Sequence, residues 1–198
     1  MGKPSRIFIR EINEDGITFS TGSKASLILS VDLKQERNVV EGPWIIFKKP
    51  FYYLLYSGNG YLSPHYYTGI ARSTSVSGPY KKQLVREKDT FMHTNLDMFD
   101  AGQNSTFVGP GHGSAVLVGD DYWFLYHAWK WNKVGAYPTG RVLLLDKVIW
   151  NKTSGWPLIG SPSVTETQDP HKKLTSLFQK ILHLLKKFLI IFRYSVLE

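Results

Sequence analysis

The sequence contains no cysteine, which excludes disulfide bonds and cysteine-ligated zinc sites. It also has no run of about 18 apolar residues, the length that a membrane-spanning helix needs. The first residues, Met1 to Arg6, lack the apolar centre of a signal peptide. No membrane span is therefore predicted, and the localisation of the protein stays open.

What the sequence does contain is aromatic residues. Of its 198 residues, 42% are hydrophobic and 14% are aromatic, enough to build one domain with a substantial core. Aromatic side chains favour β-strands, and the glycines and prolines fall between short strand-like runs rather than inside them. The composition therefore predicts an all-β domain.

The positive charge of the chain is concentrated near its C-terminus. The formal net charge is +8, and much of this excess lies after Pro170, where six of the 24 basic residues and only one of the 16 acidic residues occur. These residues are Lys172, Lys173, Lys180, Lys186, Lys187 and Arg193. Because the rest of the chain is only mildly basic, no nucleic-acid partner is predicted.

The same C-terminal stretch has a helical pattern. From Lys172 to Arg193, apolar residues recur every three or four positions with lysines opposite, which predicts an amphipathic helix. We therefore divide the chain into a β domain over residues 1–165 and a basic helical tail over residues 166–198. The tail is typical either of contact with a membrane surface or partner, or of a helix that covers an edge of the β domain.

A pattern of strand, tight turn and aromatic strand occurs twice. The strand Phe51–Ser57 follows the segment Val40–Trp44, and the pattern returns within Ser114–His127. Tyr56 matches Tyr126, and Thr68-Gly69 matches Thr139-Gly140, so a four-stranded unit repeats at roughly 70 residues. Repeated four-stranded units are typical of β-propeller blades.

The first part of the chain predicts only half of such a unit. Arg6–Ile12 alternates like a strand, a turn follows at Asn13–Gly16, and Ile17–Ser20 begins a second strand, which predicts an outer hairpin. Propellers close with about four to eight blades, and we count about two and a half. We expect the chain to be part of a larger propeller.

Several motifs occur in an order that resembles one enzyme family. They are Val40-Glu41-Gly42-Pro43-Trp44, Tyr52–Ser57, Thr68–Ser73 with Gly78-Pro79-Tyr80, Gly109–Ser114, Tyr126–Trp129, Arg141, and Trp150 with Gly155-Trp156-Pro157. From Arg6 to Ile159, the chain resembles the C-terminal portion of glycoside hydrolase family 43. This resemblance implies a partial five-bladed β-propeller. It also implies inverting hydrolysis of arabinose- or xylose-containing glycans.

The resemblance also implies roles for individual residues. Glu41 matches the general acid, and Arg141 and Trp44 are expected to contact the sugar. His112 matches a histidine that binds or borders a metal ion, often calcium, in the central channel. No organic cofactor is expected. His127 follows a strand, and we expect it to pack or bond to a neighbouring blade rather than to act in the site.

Each of these residues also has an ordinary structural interpretation. A glutamate before Gly-Pro is usually a solvated loop residue, and a lone histidine usually bonds to backbone. A tryptophan such as Trp44 more often packs in a core, and Arg141 is equally consistent with a surface ion pair. The motif context favours the catalytic interpretation for Glu41.

The chain departs from the family in one respect. The catalytic base and the acid that tunes the proton donor are aspartates of the first blades, and no aspartate here lies in a matching motif. The chain alone is therefore expected to be a weak or inactive hydrolase. Two alternatives stay open: a carbohydrate-binding protein without turnover, and an interaction protein that acts through its basic C-terminal helix.

Overall fold

The computed structural model describes residues 3–83, 91–94, 106–137 and 140–163. Their regular structure consists of β-strands and two short 3-10 helices, Lys34–Glu36 and Trp131–Lys133, so the all-β prediction is confirmed. Within these ranges, no helix is long and apolar enough to cross a membrane. The predicted C-terminal helix lies outside the described residues. The strands are β1 (Arg6–Ile9), β2 (Ser26–Ser30), β3 (Val40–Lys48), β4 (Phe51–Gly58), β5 (Tyr67–Ser73), β6 (Lys81–Lys82), β7 (Phe107–Val118), β8 (Asp121–Lys130), β9 (Arg141–Lys147), β10 (Ile149–Trp150) and β11 (Pro157–Leu158).

The first sheet is the four-stranded unit that the sequence predicts. Its strands lie in the order β3-β4-β5-β6, and all neighbours are antiparallel. Strand β4 is buried from Tyr53 to Gly58 because it has a paired strand on each side and side chains packed on both faces. Leu54 and Leu55 belong to two different core clusters, as the alternation of side chains along a strand requires.

The second sheet has three strands in the order β7-β8-β9, again antiparallel. The prediction of a fourth strand in this unit is wrong for the described residues, because Ile149 and Trp150 pair with Leu158 and Pro157 in a separate two-stranded sheet. The predicted match between Tyr56 and Tyr126 is confirmed in their strand positions and in their burial. Both tyrosines lie in the central strand of their sheet and are at most 2% exposed.

The two sheets share one hydrophobic core. Ile46, Tyr53 and Leu55 of the first sheet belong to the same buried cluster as Phe124 and Tyr126 of the second. A second cluster forms on the other face of the first sheet, where β1 and β2 contribute apolar side chains. The first sheet is therefore packed on both faces.

Strand β1 does not pair where the sequence predicts. Its partner is β2, with Ile7 opposite Leu29, and the predicted partner segment from Ile17 to Ser20 forms no strand. Residues 10–25 belong to a second compact unit, in which the predicted turn survives and Ile12 forms an isolated bridge with Phe19. The strand predicted over Arg6–Ile12 is therefore confirmed over Arg6–Ile9 only, and its predicted pairing with Ile17–Ser20 is wrong.

Three irregularities interrupt the two long strands that face each other. In β3, one extra residue is inserted between Glu41 and Trp44, and in β7 one is inserted on each side of Gly111. Such bulges bend a strand and change the direction of its side chains, and they are frequent beside active sites. The bulges bring the Glu41 segment of β3 to the His112 segment of β7.

Candidate active site

Glu41 is half-buried at the start of β3, and it accepts a hydrogen bond from a buried tyrosine. The Tyr66 hydroxyl donates to Oε1 of Glu41 at 2.7 Å. Burial raises the pKa of Tyr66, and the nearby Glu41 carboxylate raises it further. The phenol therefore keeps its proton across the working pH range and remains a donor to Glu41.

Tyr66 reaches this position because glycines leave room for its ring. It ends the loop between β4 and β5, where its backbone N–H donates to Ser63 at 3.1 Å. A side-chain carbon at Gly111 would lie 2.3 Å from Cε1 of Tyr66, and one at Gly109 would lie 2.6 Å from the Ser63 carbonyl oxygen. The glycine-rich segment predicted as a site motif is thus the surface against which Tyr66 packs.

His112 lies directly beside the Glu41 segment. It has a left-handed backbone with φ of 53°, and its N–H donates to Oγ of Ser57 at 2.7 Å. Ser57 is also the cross-strand partner of Glu41. Gly42 has φ of 55°, and a side-chain carbon there would lie 3.2 Å from the His112 ring. The side chain of His112 is exposed, so its imidazole is accessible to a ligand.

His127 packs against this group of residues. Its ring lies 6.2 Å from the Tyr66 ring at an interplanar angle of 8°, and 6.0 Å from the His112 ring at 25°. Burial, together with the neighbouring charges of Arg141 and His112, lowers the pKa of His127 to about 3. His127 is therefore neutral at ordinary pH and links Tyr66 to His112.

Arg141 completes the group from β9. Its Nε donates to Nδ1 of His127 at 2.8 Å, and its Nη1 donates to the Tyr137 hydroxyl at 2.9 Å. Its guanidinium carbon lies 5.3 Å from the ring centre of Tyr61 and 5.5 Å from that of Trp129. These contacts hold the guanidinium in a fixed orientation, in contrast to a solvated surface arginine.

The structure places Trp44 away from the hydrogen bonds of Glu41. Because of the bulge, Trp44 pairs with Leu55 while Glu41 pairs with Ser57, so both side chains lie on the same face of the sheet. Trp44 is half-buried and packs against the core shared by the two sheets. Its predicted contact with sugar stays a prediction.

The sequence alone does not assign Tyr66 or His127 to the site, although each lies in or near one of the motifs. Tyr66 stands between Pro64 and Thr68-Gly69, one of the repeated motifs, but nothing local relates it to Glu41. His127 stands in the Tyr126–Trp129 motif, and its position in β8 opposite Gly111 brings it to the same place as His112. Both contacts depend on the pairing of distant strands.

The other described carboxylates of the larger unit lie in different environments. Asp32 contacts Lys82, Asp121 pairs with Lys147 at 2.7 Å, and Asp146 accepts a hydrogen bond from Tyr126 at 2.5 Å. Asp120 lies in the turn between β7 and β8, about 20 Å along the strands from His112. In the described ranges, no three histidine or acidic side chains are arranged to hold a metal ion.

Comparison with known proteins connects this group of residues to an enzyme family. The model of the family "Glycosyl hydrolases family 43" matches residues 2–157. The chain belongs to glycosyl hydrolases family 43. The resemblance drawn from the motifs is therefore confirmed, and the matched range contains Glu41, Tyr66, His112, His127 and Arg141.

Solved structures of several glycan-hydrolysing enzymes share the fold. An α-L-arabinofuranosidase from Lactobacillus brevis is 20% identical with a TM-score of 0.66, over 85% of this chain and 51% of its own. A thermostable family 43 glycoside hydrolase is 23% identical with a TM-score of 0.64, over 83% and 50%. An endo-1,4-β-xylanase from Bacteroides thetaiotaomicron is 22% identical with a TM-score of 0.63, over 78% and 50%. The chain thus spans about half the length of these three solved structures.

Proposed function

We propose that this protein takes part in the hydrolysis of O-glycosyl bonds in arabinose- or xylose-containing glycans, with Glu41 as the general acid. The observation that carries the proposal is the hydrogen bond from the buried Tyr66 to Glu41, made at 2.7 Å beside His112 in a family 43 chain. The names of the similar structures, an arabinofuranosidase and a xylanase, support this class of substrate.

The geometry of Glu41 suits proton donation. A protonated carboxyl group accepts through its carbonyl oxygen and donates through its hydroxyl. Because Tyr66 donates to Oε1, the acidic proton resides on Oε2. In the reaction, Oε2 passes this proton to the leaving oxygen as the bond from that oxygen to the anomeric carbon breaks. Water attacks the opposite face of the sugar and gives its proton to a base.

The base comes from another part of a larger propeller. Inverting hydrolysis needs a second carboxylate about 6.5 to 9.5 Å from the acid, and the described aspartates of the larger unit are placed elsewhere. We infer that the two sheets and the β1–β2 pair represent about two and a half blades of a five-bladed propeller. The chain alone is then a weak or inactive hydrolase.

Arg141, Trp44 and His112 have supporting roles in this proposal. The fixed guanidinium of Arg141 binds sugar hydroxyls, and Trp44 forms a flat wall for the ring. The exposed imidazole of His112 would bind or border a cation such as calcium. A cation of this kind takes mainly oxygen ligands, so water would complete its coordination. When bound, it would supply positive charge in the central channel.

The proposal is tested by replacing the missing base with a small nucleophile. The purified chain is incubated with aryl β-xylosides and α-arabinofuranosides of good and poor leaving groups, with and without sodium azide. Azide needs no base, so attack at the anomeric carbon yields a glycosyl azide of inverted configuration. The product is identified by mass spectrometry and NMR.

We expect azide-dependent product, and we expect Glu41→Gln to lower its rate by roughly 10²- to 10⁴-fold for poor leaving groups. Activated dinitrophenyl glycosides, which need little protonation, should be much less affected. Glu14→Gln, which changes an exposed glutamate, is the control. Absence of the azide product in the folded wild type, or equal rates in the Glu41→Gln variant, would contradict the proposal.

Sugar binding without turnover is a second candidate, and the engagement of the described aspartates in other contacts favours it. It predicts that oligosaccharides bind while the azide product is absent. The role of the C-terminal tail as a membrane or partner contact concerns residues outside the described ranges and stays a prediction.

A further inference from the structure

Two exposed tyrosines, Tyr61 and Tyr137, lie beside Arg141, which also donates a hydrogen bond to His127. Tyr61 is 43% exposed and Tyr137 is 57% exposed, although both belong to an ordered group of aromatic rings. Large exposed aromatic side chains held in place beside a polar site are typical of ligand contact rather than of core packing.

Trp129 and Arg141 contact both tyrosines. The fully buried Trp129 donates its indole N–H to the Tyr61 carbonyl oxygen at 2.7 Å. Its ring lies 5.0 Å from the Tyr137 ring in an edge-to-face arrangement at 78°. Arg141 lies over the Tyr61 ring and donates to the Tyr137 hydroxyl. Since the rings are already ordered, a ligand that stacks on them loses little conformational entropy on binding.

The same arginine connects the tyrosines to the acid. Arg141 donates to His127, the His127 ring stacks on Tyr66, and Tyr66 donates to Glu41. This chain of contacts places the two tyrosines and the acid in one connected group of side chains. Sugar rings present flat faces of C–H groups that pack on aromatic rings, and their hydroxyls accept hydrogen bonds from guanidinium groups.

We propose that Tyr61 and Tyr137, with Arg141 between them, form a subsite for a second sugar unit of the glycan. The subsite rests on the proposed glycan substrate and extends it, because it makes the protein selective for oligosaccharides over monosaccharides. Trp129 positions the two rings and does not contact the sugar itself, since it is fully buried.

The test measures binding and needs no turnover. The full chain is titrated with arabinose, xylose, arabinotriose and xylotriose by calorimetry, and by saturation-transfer NMR from the tyrosine rings. A trisaccharide should bind at least tenfold more tightly than its monosaccharide. Tyr61→Ala and Tyr137→Ala should each weaken trisaccharide binding by roughly threefold to tenfold, the range of one aromatic stacking contact, and leave monosaccharide binding unchanged.

Two further variants separate stacking from general effects. Tyr137→Phe removes the hydrogen bond to Arg141 but keeps the ring, so it should lose less affinity than Tyr137→Ala. Phe47→Ala removes an aromatic ring that is 54% exposed on β3 and should leave affinity unchanged. Circular dichroism checks that each variant folds.

The outcomes distinguish the subsite from the proposed function. Trisaccharide binding that is unchanged in both alanine variants overturns the subsite and leaves the glycan substrate standing. Failure of the wild type to bind any trisaccharide also overturns the subsite, while the azide assay on single-sugar glycosides decides independently whether Glu41 acts as the acid.

Discussion

The position of Tyr66 depends on the absence of a side chain at Gly111, and this dependence gives a prediction with a calculable size. A carbon added at Gly111 would lie 2.3 Å from Cε1 and 2.7 Å from Cδ1 of Tyr66. Neither ring atom belongs to a flexible chain end, and Tyr66 is fully buried, so the ring has little room to move. Overpacking of this kind costs roughly 1 to 3 kcal/mol.

We therefore expect Gly111→Ala to lower the free energy of unfolding by that amount, and the melting temperature by about 2 to 12 °C. Urea denaturation followed by tryptophan fluorescence measures the free energy of unfolding, and calorimetry measures the melting temperature. The matched control is Gly60→Ala, because Gly60 has no neighbour within 4 Å and no left-handed backbone. That change should be neutral, or stabilising by up to about 1 kcal/mol.

A double-mutant cycle identifies the contact responsible. In Tyr66→Leu the Cε1 atom is absent, so the added Gly111→Ala change should cost less, with an interaction energy of at least about 0.5 kcal/mol. Equal stability of the Gly111→Ala and Gly60→Ala variants, or an equal cost of Gly111→Ala in both backgrounds, would refute the argument that Gly111 makes room for the ring.

Three further predictions concern other buried groups. Tyr66→Phe should cost roughly 1.5 to 3 kcal/mol in urea denaturation, since it leaves Glu41 without its hydrogen-bond donor. Lys82→Met should cost roughly 3 to 5 kcal/mol, because Lys82 lies 2.7 Å from the fully buried carboxylate of Glu36. His127 has a pKa of about 3 in the folded protein, below its value in the unfolded chain. The contribution of neutral His127 to the free energy of unfolding is therefore complete above pH 6.5 and is lost as the pH falls. Because the side chain is only partly shielded from solvent, we expect a loss of about 1 kcal/mol between pH 7 and pH 5.

Each of these predictions has a control in the same chain. Tyr80→Phe removes a hydroxyl that donates to a carbonyl oxygen at 3.1 Å on the surface, and should cost less than about 1 kcal/mol. Lys147→Met breaks an ion pair whose side chain is 44% exposed and should cost below about 1 kcal/mol. His127→Gln should flatten the pH dependence between pH 7 and pH 5, whereas His65→Gln, at an exposed position, should not. If a control variant changed the stability, or its pH dependence, as much as its test variant did, the argument from burial would fail for that group.

The sequence predicts the strands well where a run of aromatic residues is enough to identify a strand. The aromatic runs in β4 and β8 determine their strands. Tyr56 and Tyr126 are both buried, and both donate to a carboxylate: Glu36 of the first 3-10 helix and Asp146 of β9, respectively. The match of Thr68-Gly69 with Thr139-Gly140 does not extend to the register, because Gly69 lies opposite Tyr56 while Gly140 precedes β9.

The site is harder to predict because its contacts join distant strands. Glu41 could be proposed from its motif, but Tyr66 is bound to it across 25 positions of the chain. Nothing in the local pattern sets that distance. From the sequence, His127 follows a predicted strand and is expected to pack, and only the pairing of β8 with β7 brings it to His112.

The bulges explain why strand alternation fails at the functional residues. One inserted residue changes the face on which every later side chain of the strand lies. In β3 the insertion lies between Glu41 and Trp44, and as a result both side chains lie on the same face of the sheet. Regular alternation from residue 41 to residue 44 would put them on opposite faces. Gly42 in β3 and His112 in β7 both have left-handed backbones at these points, and a side-chain carbon at Gly42 would lie 3.2 Å from the His112 ring. A sequence change that removed the bulge in β3 or the bulges in β7 would preserve the strand pattern and separate Glu41 from His112. The position of the site therefore depends on the bulges, which regular strand alternation does not predict.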